Sequence, residues 1–284
     1  VQLGGTMQFR ILGALEATGA GGLVPLRSVK QRSLLALLLC HDGTVAHSDV
    51  LIDALWGAEA GDAGQQRLRL QLHRLRRTLG EHVPIAHQAT GYRLRVPAED
   101  VDARRFELLV RQGRSALASG NDAKGSALLR EGLDLWRGPA LSGLDDIHLL
   151  HRQATRLEEL RLAALGERVE ADLRLGRHAA LVGELSTLVR EHPLRETFRG
   201  QLMLALYRSG RQAEALDVYQ AGRRILTTDL GLEPGPELRK LHAAILSSDS
   251  SLSAGRAAPH GRLVHRRAGP RHGRGCPHCA PRHH

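Results

Sequence analysis

Over the first hundred residues the spacing of hydrophobic positions changes several times, and each change predicts an element. Phe9-Arg10-Ile11-Leu12-Gly13 and Leu23-Val24-Pro25-Leu26 are short apolar runs separated by the glycine-rich residues 19–22, so two short strands about a turn are expected. Ser28 stands before residues 29–41, where Leu34, Leu35, Leu38 and Leu39 recur at helical spacing. This predicts a capped helix with one buried stripe, ended by Asp42-Gly43. Ser48 is placed to cap a second helix over residues 49–56, stopped at Gly57, and a loop through Gly64 leads to a third. In that third helix Leu68, Leu72, Leu75 and Leu79 fall within about 40° of one another at 100° per residue, a single core-facing edge. Residues 84–87 and 92–96 then flank Thr90-Gly91 as a hairpin. Strands, three helices and a hairpin, in that order, predict a winged helix-turn-helix.

From Val101-Asp102 onward the pattern is amphipathic helix almost throughout. Gly120, Gly176 and Gly210 each follow a helical run, each has an alanine three residues on (Ala123, Ala179, Ala213), and each has a large apolar residue nine on (Leu129, Leu185, Tyr219). The last two glycines are 34 residues apart, the period of a tetratricopeptide repeat, and the small alanines are expected where paired helices pack closely. Residues 137–147, with Gly138-Pro139 and Gly143, read as an insertion between repeats. Residues 231–236 break the last long helix before a closing one over residues 237–246. The expected fold is mainly α with a small β component: a winged helix-turn-helix over residues 7–100, then an all-α tetratricopeptide-like repeat domain over residues 101–249. Residues 1–6 are expected to fall outside the functional fold. Residues 250–284 carry almost no large apolar side chains and are expected to be a disordered basic tail.

Charge changes this picture in one place. The net charge of +10 comes largely from the tail, which has seven arginines and no acid, so the global value says little about a partner. The third helix says more. Residues 65–80 carry five arginines and no acid, with Gln66, Arg67, Leu70, His73, Arg74 and Arg77 opposite the leucine edge and Arg69 and Arg76 flanking them. A basic face alone is also what a solvated surface helix presents. On a winged helix, however, it faces polyphosphate, where arginine grips phosphate or binds guanine O6 and N7 bidentately.

Three cysteines in 284 residues, one of them (Cys40) in an apolar helical run, give no disulfide framework and fit a reducing cytoplasm. No run of about 18 apolar residues and no export signal are present, so a soluble cytoplasmic chain without membrane contact is expected. Cys276 and Cys279 with His272, His283 and His284 could supply zinc ligands, but one cysteine pair has no surrounding fold to hold a second pair, and no metal is expected. No His-x-x-x-His helix motif is present, nor a glutamate at general-base spacing, so no enzymatic activity is expected. Trp56, Trp136 and Tyr92 read as packing residues.

The residues of the N-terminal part carry a family resemblance. Phe9-Arg10-Ile11-Leu12-Gly13, Lys30-Gln31-Arg32 with Leu34-Leu35-Ala36, Leu51-Ile52-Asp53-Ala54-Leu55-Trp56-Gly57, Arg74-Leu75-Arg76-Arg77 and Gly91-Tyr92-Arg93-Leu94 resemble the DNA-binding domain of the SARP family. These are bacterial activators of antibiotic biosynthesis clusters with an OmpR-type winged helix. Leu135-Trp136-Arg137-Gly138, His192-Pro193-Leu194-Arg195-Glu196, the run from Leu204 through Gly210 to Leu216, and Leu230-Gly231-Leu232-Glu233-Pro234-Gly235-Pro236 resemble the bacterial transcriptional activation domain that follows it in that family. The chain departs from the family at 61–64, where prolines are usual, and at His73, where a small residue is usual; both put the operator sequence in question. It also has no Gly-x-x-x-x-Gly-Lys-Ser/Thr loop, so no nucleotide or other cofactor is expected.

The resemblance implies a pathway-specific activator that binds direct repeats in promoter DNA near the −35 element, as a homodimer on DNA, and engages RNA polymerase holoenzyme including its principal sigma factor. It points to Arg74, Arg76 and Arg77 on DNA, beside Arg67 and Arg69 of the same face, with His73 at a base edge or in solvent. Lys30, at a helix N-terminus, is expected on a phosphate or simply exposed. Arg93, in the wing, is expected at the minor groove or backbone. The alternative from another class is a helical-repeat scaffold that binds a protein or peptide in its concave surface.

Overall fold

The computed structural model describes residues 7–80 and 83–253. Residues 1–6, expected to fall outside the functional fold, the part of the expected tail beyond residue 253, and the cysteines and histidines of that tail considered for zinc lie outside the described residues. Strands β1 (Gln8–Arg10), β2 (Glu16–Gly19) and β3 (Gly22–Leu23) form an antiparallel sheet in that order. The sequence reading missed β2, whose Glu-Ala-Thr-Gly has a single buried apolar residue, Ala17, and so no alternation to read.

Helix α1 (Val29–Cys40) begins as expected, with the Ser28 hydroxyl accepting a 3.1 Å bond from the Gln31 amide. Its burial is broader than one stripe. Every residue from Ser33 to Leu39 is buried, because the helical domain covers the side that the winged helix leaves open. Cys40 packs at the edge of this core, and burial pushes its thiol up to about 12, so it stays protonated and acts as a small apolar side chain.

β4 (Ala46–His47) and α2 (Ser48–Trp56) follow. Ser48 is the first residue of α2 rather than its cap, and His47 precedes it without a side-chain capping bond. The expected loop is a 3-10 run, Gly57–Ala63, kinked at Gly61, and α3 (Gly64–Leu79) starts directly from it. β5 (Ile85–Gln88) and β6 (Gly91–Leu94) form the wing hairpin. β4 joins β6 on its other side, giving the order β4-β6-β5.

Among the described residues seven α-helices follow: α4 (Asp102–Ala118), α5 (Asp122–Leu133), α6 (His148–Arg174), α7 (His178–Glu191), α8 (Glu196–Arg208), α9 (Gln212–Leu230) and α10 (Pro236–Leu246). Gly120, Gly176 and Gly210 take φ of +77°, +77° and +80° and turn α4 into α5, α6 into α7 and α8 into α9, as the repeat predicted. The alanines do not have the expected packing role: Ala123, Ala179 and Ala213 are all exposed. The buried positions lie five and nine residues past each glycine, at Gly125, Leu181 and Ala215 and at Leu129, Leu185 and Tyr219. Three residues past the turn is still the first helical turn, before the helix has come round to face its partner.

The expected boundary at residues 100 and 101 is crossed by a continuous core. Phe9, Leu12, Leu34, Leu38 and Leu72 share one buried cluster with Val101, Phe106, Val110, Leu141, Leu144 and Leu157. Residues 137–147, expected as an insertion between repeats, clamp the connection between β1 and β2. The amides of Arg137, Leu141 and Ser142 donate to the carbonyls of Leu12, Ile11 and Gly13 at 2.9, 2.9 and 3.2 Å. A second core, around Val169, Leu185, Phe198, Met203 and Tyr219, organises the later helices, and α6 contributes to both. The described chain ends in a 3-10 turn, Ser250–Ser253, held to α8 where Arg208 donates to the Leu252 carbonyl at 2.8 Å.

Candidate nucleic-acid interface

Sixteen residues make α3 about 24 Å long at 1.5 Å per residue. Leu68, Leu72, Leu75 and Leu79 are 0–2% exposed and seat it on α1 and α2. That anchoring turns Gln65, Gln66, Arg67, Arg69, Leu70, His73, Arg74, Arg76 and Arg77 outward, and the helix contains no acid. The leucine edge and the basic face are therefore as the sequence predicted.

The basic residues fall into two groups by what their side chains touch. Arg69, His73, Arg74 and Arg77 make no side-chain hydrogen bond or ion pair with any described residue. The other four predicted contacts already meet backbone carbonyls. Arg76 donates through Nε and Nη2 to the Ile85 carbonyl at 3.2 and 2.7 Å, and its guanidinium lies 6.0 Å from the Tyr92 ring centre. It thus fastens the end of α3 to the wing. Arg67 donates to the Glu59 carbonyl at 2.8 Å, across the run that leads into the helix.

Lys30 reaches the Leu55 carbonyl near the C-terminus of α2, where unpaired carbonyls and the helix dipole favour a cation. It is exposed, and an ammonium keeps two further donors. Arg93 is directed to the Gly43 carbonyl in the turn after α1. That places it at the base of the wing. Residues 88–91 form the tip, where Gln88 pairs with Gly91 across Ala89-Thr90. Tyr92 is 5% exposed and belongs to the core, as read from the sequence.

A cleft of about 560 Å³, lined by His73, Arg76, Arg77, Gly80, Val83, Pro84 and Ile85, separates the end of α3 from the wing. An outward helix with free guanidinium groups, beside a wing, presents cationic donors to a polyanion that packs against both elements. Among the described residues no group of three or more His, Cys, Asp or Glu side chains could hold a metal, and no helix is long and apolar enough to cross a membrane.

Leu70 shares this face by helical geometry and is none of the predicted contacts. It is 49% exposed in the middle of α3, as its place opposite the leucine edge requires.

A winged helix with an outward cationic helix, joined to a stack of paired helices, defines the class as a DNA-binding transcriptional regulator. Two family descriptions match along the chain: "Transcriptional regulatory protein, C terminal" over residues 24–94 and "Bacterial transcriptional activator domain" over residues 101–246. The chain is 36% identical to regulatory protein DnrI of Streptomyces peucetius, over 87% of this chain and 94% of that one. It is 41% identical to regulatory protein AfsR of Streptomyces coelicolor over 88% of this chain, but spans only 25% of that protein's length. Among solved structures, that of Mycobacterium tuberculosis EmbR in complex with a low affinity phosphopeptide is similar with a TM-score of 0.83 at 34% identity, covering 88% of this chain and 68% of that one. The chain belongs to the SARP family, a family of transcriptional regulators and not of enzymes.

Proposed function

We propose that the chain is a cytoplasmic, nucleoid-associated activator of a secondary-metabolite (antibiotic) biosynthesis cluster, acting on promoter DNA without chemistry of its own. α3 enters the major groove and the wing lies along the adjacent backbone. Arg69, Arg74 and Arg77, with His73, are the groups that meet bases and phosphates, while Arg67, Arg76, Lys30 and Arg93 reach phosphate from positions already tied to the protein. The carrying observation is the acid-free face of α3, on which three guanidinium groups have no partner within the described protein.

Two protomers on direct repeats near the −35 element sit about 10 bp, or a multiple of that, apart on one face of the duplex. The helical domain then contacts RNA polymerase holoenzyme and its principal sigma factor, and the added binding free energy fills a weak promoter. The test is transcription by purified holoenzyme from a promoter footprinted by the full chain. Protection of two repeats and rising transcript with occupancy are expected. Occupancy without added transcript would remove the activator reading.

A scaffold that binds a peptide is the second reading. It is favoured by a concavity of about 780 Å³ between α6, α8 and α10, lined by Leu173, Gln201, Leu204, Leu238 and Leu241 among others. It predicts partner capture that is unchanged when the α3 arginines are replaced.

A further inference from the structure

Leu70 stands apart from the other leucines of α3. Those four are buried to within 2% and hold the helix down, whereas Leu70 is 49% exposed at the middle of the face they turn outward. Its neighbours one turn away on either side are Gln66 and Arg67, and His73 and Arg74, all exposed and all able to donate hydrogen bonds. An apolar side chain is thus surrounded by groups that grip phosphate and base acceptors.

When such a face is pressed into a major groove, water leaves the space over Leu70. A leucine set against an amino group or a ring nitrogen would leave that group without a partner, which is costly once water is gone. One base in the groove presents an apolar group, the C5 methyl of thymine. We propose that Leu70 is a specificity-determining residue that reads a thymine methyl. Arg74 lies one turn further along the helix, about 6 Å. The thymine therefore falls within about two base pairs of the base or phosphate that Arg74 holds. The inference rests on the reading above that α3 enters the major groove.

The experiment uses the full chain and a duplex that it selects from a randomised pool. Each thymine of that duplex is replaced in turn by deoxyuridine, which lacks only the methyl group. At one position per repeat, wild type is expected to lose about fourfold in affinity, the worth of one buried methylene-sized group. Leu70→Ala is expected to bind the thymine and deoxyuridine duplexes equally at that position, while Arg69→Ala, though weaker overall, keeps the fourfold difference. Tolerance of deoxyuridine at every position by wild type, or the same penalty in Leu70→Ala, overturns the assignment. A wild-type chain that selects no sequence overturns the groove reading itself, and the assignment with it.

Discussion

The carboxylate of Asp102, first residue of α4, accepts a 2.8 Å hydrogen bond from the backbone amide of Ile11, the residue that follows β1. Its other oxygen takes the Leu12 amide at 3.1 Å. Burial raises the Asp102 carboxyl above its ordinary range, against the opposing pull of those two amides and of Arg137. The first residue of α4 thus satisfies two donors of the DNA-binding half. Asp102→Ala leaves both amides without that partner beside a closed core, and is expected to cost about 3 kcal/mol. The shift of the urea midpoint measures it.

Truncation after residue 100 removes the same clasp, together with Phe106, Leu141 and Leu144 from the shared core. Residues 7–100 alone are therefore expected to unfold in a broad, weakly cooperative transition, whereas residues 7–253 unfold sharply. Calorimetry on the two chains decides. An equally sharp transition at the same midpoint from the short chain would show that the clasp is dispensable for folding.

What the sequence revealed and what it hid divide along the range of the interaction. The leucine edge of α3, the Ser28 cap and the glycine turns at 120, 176 and 210 are set by neighbours within about nine residues, and all were legible. The packing of α1 against α6, and the clamp made by residues 137–147, depend on segments about a hundred residues away, which no local period records. The site followed the same rule. The basic face was legible from helical spacing, but the Arg76 attachment to Ile85 needed the wing to be folded back against α3 before it could be seen.

That attachment separates two kinds of arginine on one helix. Arg74→Ala and Arg77→Ala remove free guanidinium groups, so thermal stability is expected to change little while DNA affinity falls and the salt slope shrinks by about one per lost phosphate contact. Arg76→Ala also removes two hydrogen bonds to Ile85 and is expected to lower stability by about 1–2 kcal/mol. Thermal melts read beside salt-dependent binding distinguish them. Equal melting losses in all three variants would mean that the division is wrong.

Gly91 is where the wing meets β4. A Cβ added there would lie 2.0 Å from the Ala46 carbonyl oxygen and 2.8 Å from the His47 Cα, both backbone atoms that cannot swing aside. Gly91→Ala is therefore expected to separate β4 from β6 at a cost of about 3 kcal/mol, the upper part of the range for overpacked sites. Amide exchange should report it first at Ala46, His47 and Tyr92. Unchanged protection there would contradict the close approach.

Asp172 is the corresponding node of the helical domain. Its side chain, 1% exposed, takes Ser126 Oγ and Arg177 Nη1 at 2.7 Å, Arg130 Nη2 at 2.9 Å and Arg168 Nη1 at 3.2 Å, joining α5 to α6 and to the turn before α7. Burial pushes this carboxyl up, but the bonds from Ser126 and Arg177 and the charges of Arg130 and Arg168 together hold it below its ordinary value of 3.8. A depressed folded value means that the stabilisation is fully present above the unfolded value and is lost as pH falls through the folded one. Wild type is therefore expected to lose stability below about pH 4. Asp172→Asn is expected to show a flatter dependence in that window. At neutral pH the substitution should cost about 3 kcal/mol, the low end for breaking a buried charge cluster, because Arg130 and Arg177 are half exposed and can rehydrate while Arg168 keeps Glu184. Urea midpoints of both proteins from pH 2 to pH 7 provide the check. Parallel profiles would show that another carboxylate governs the acid limb.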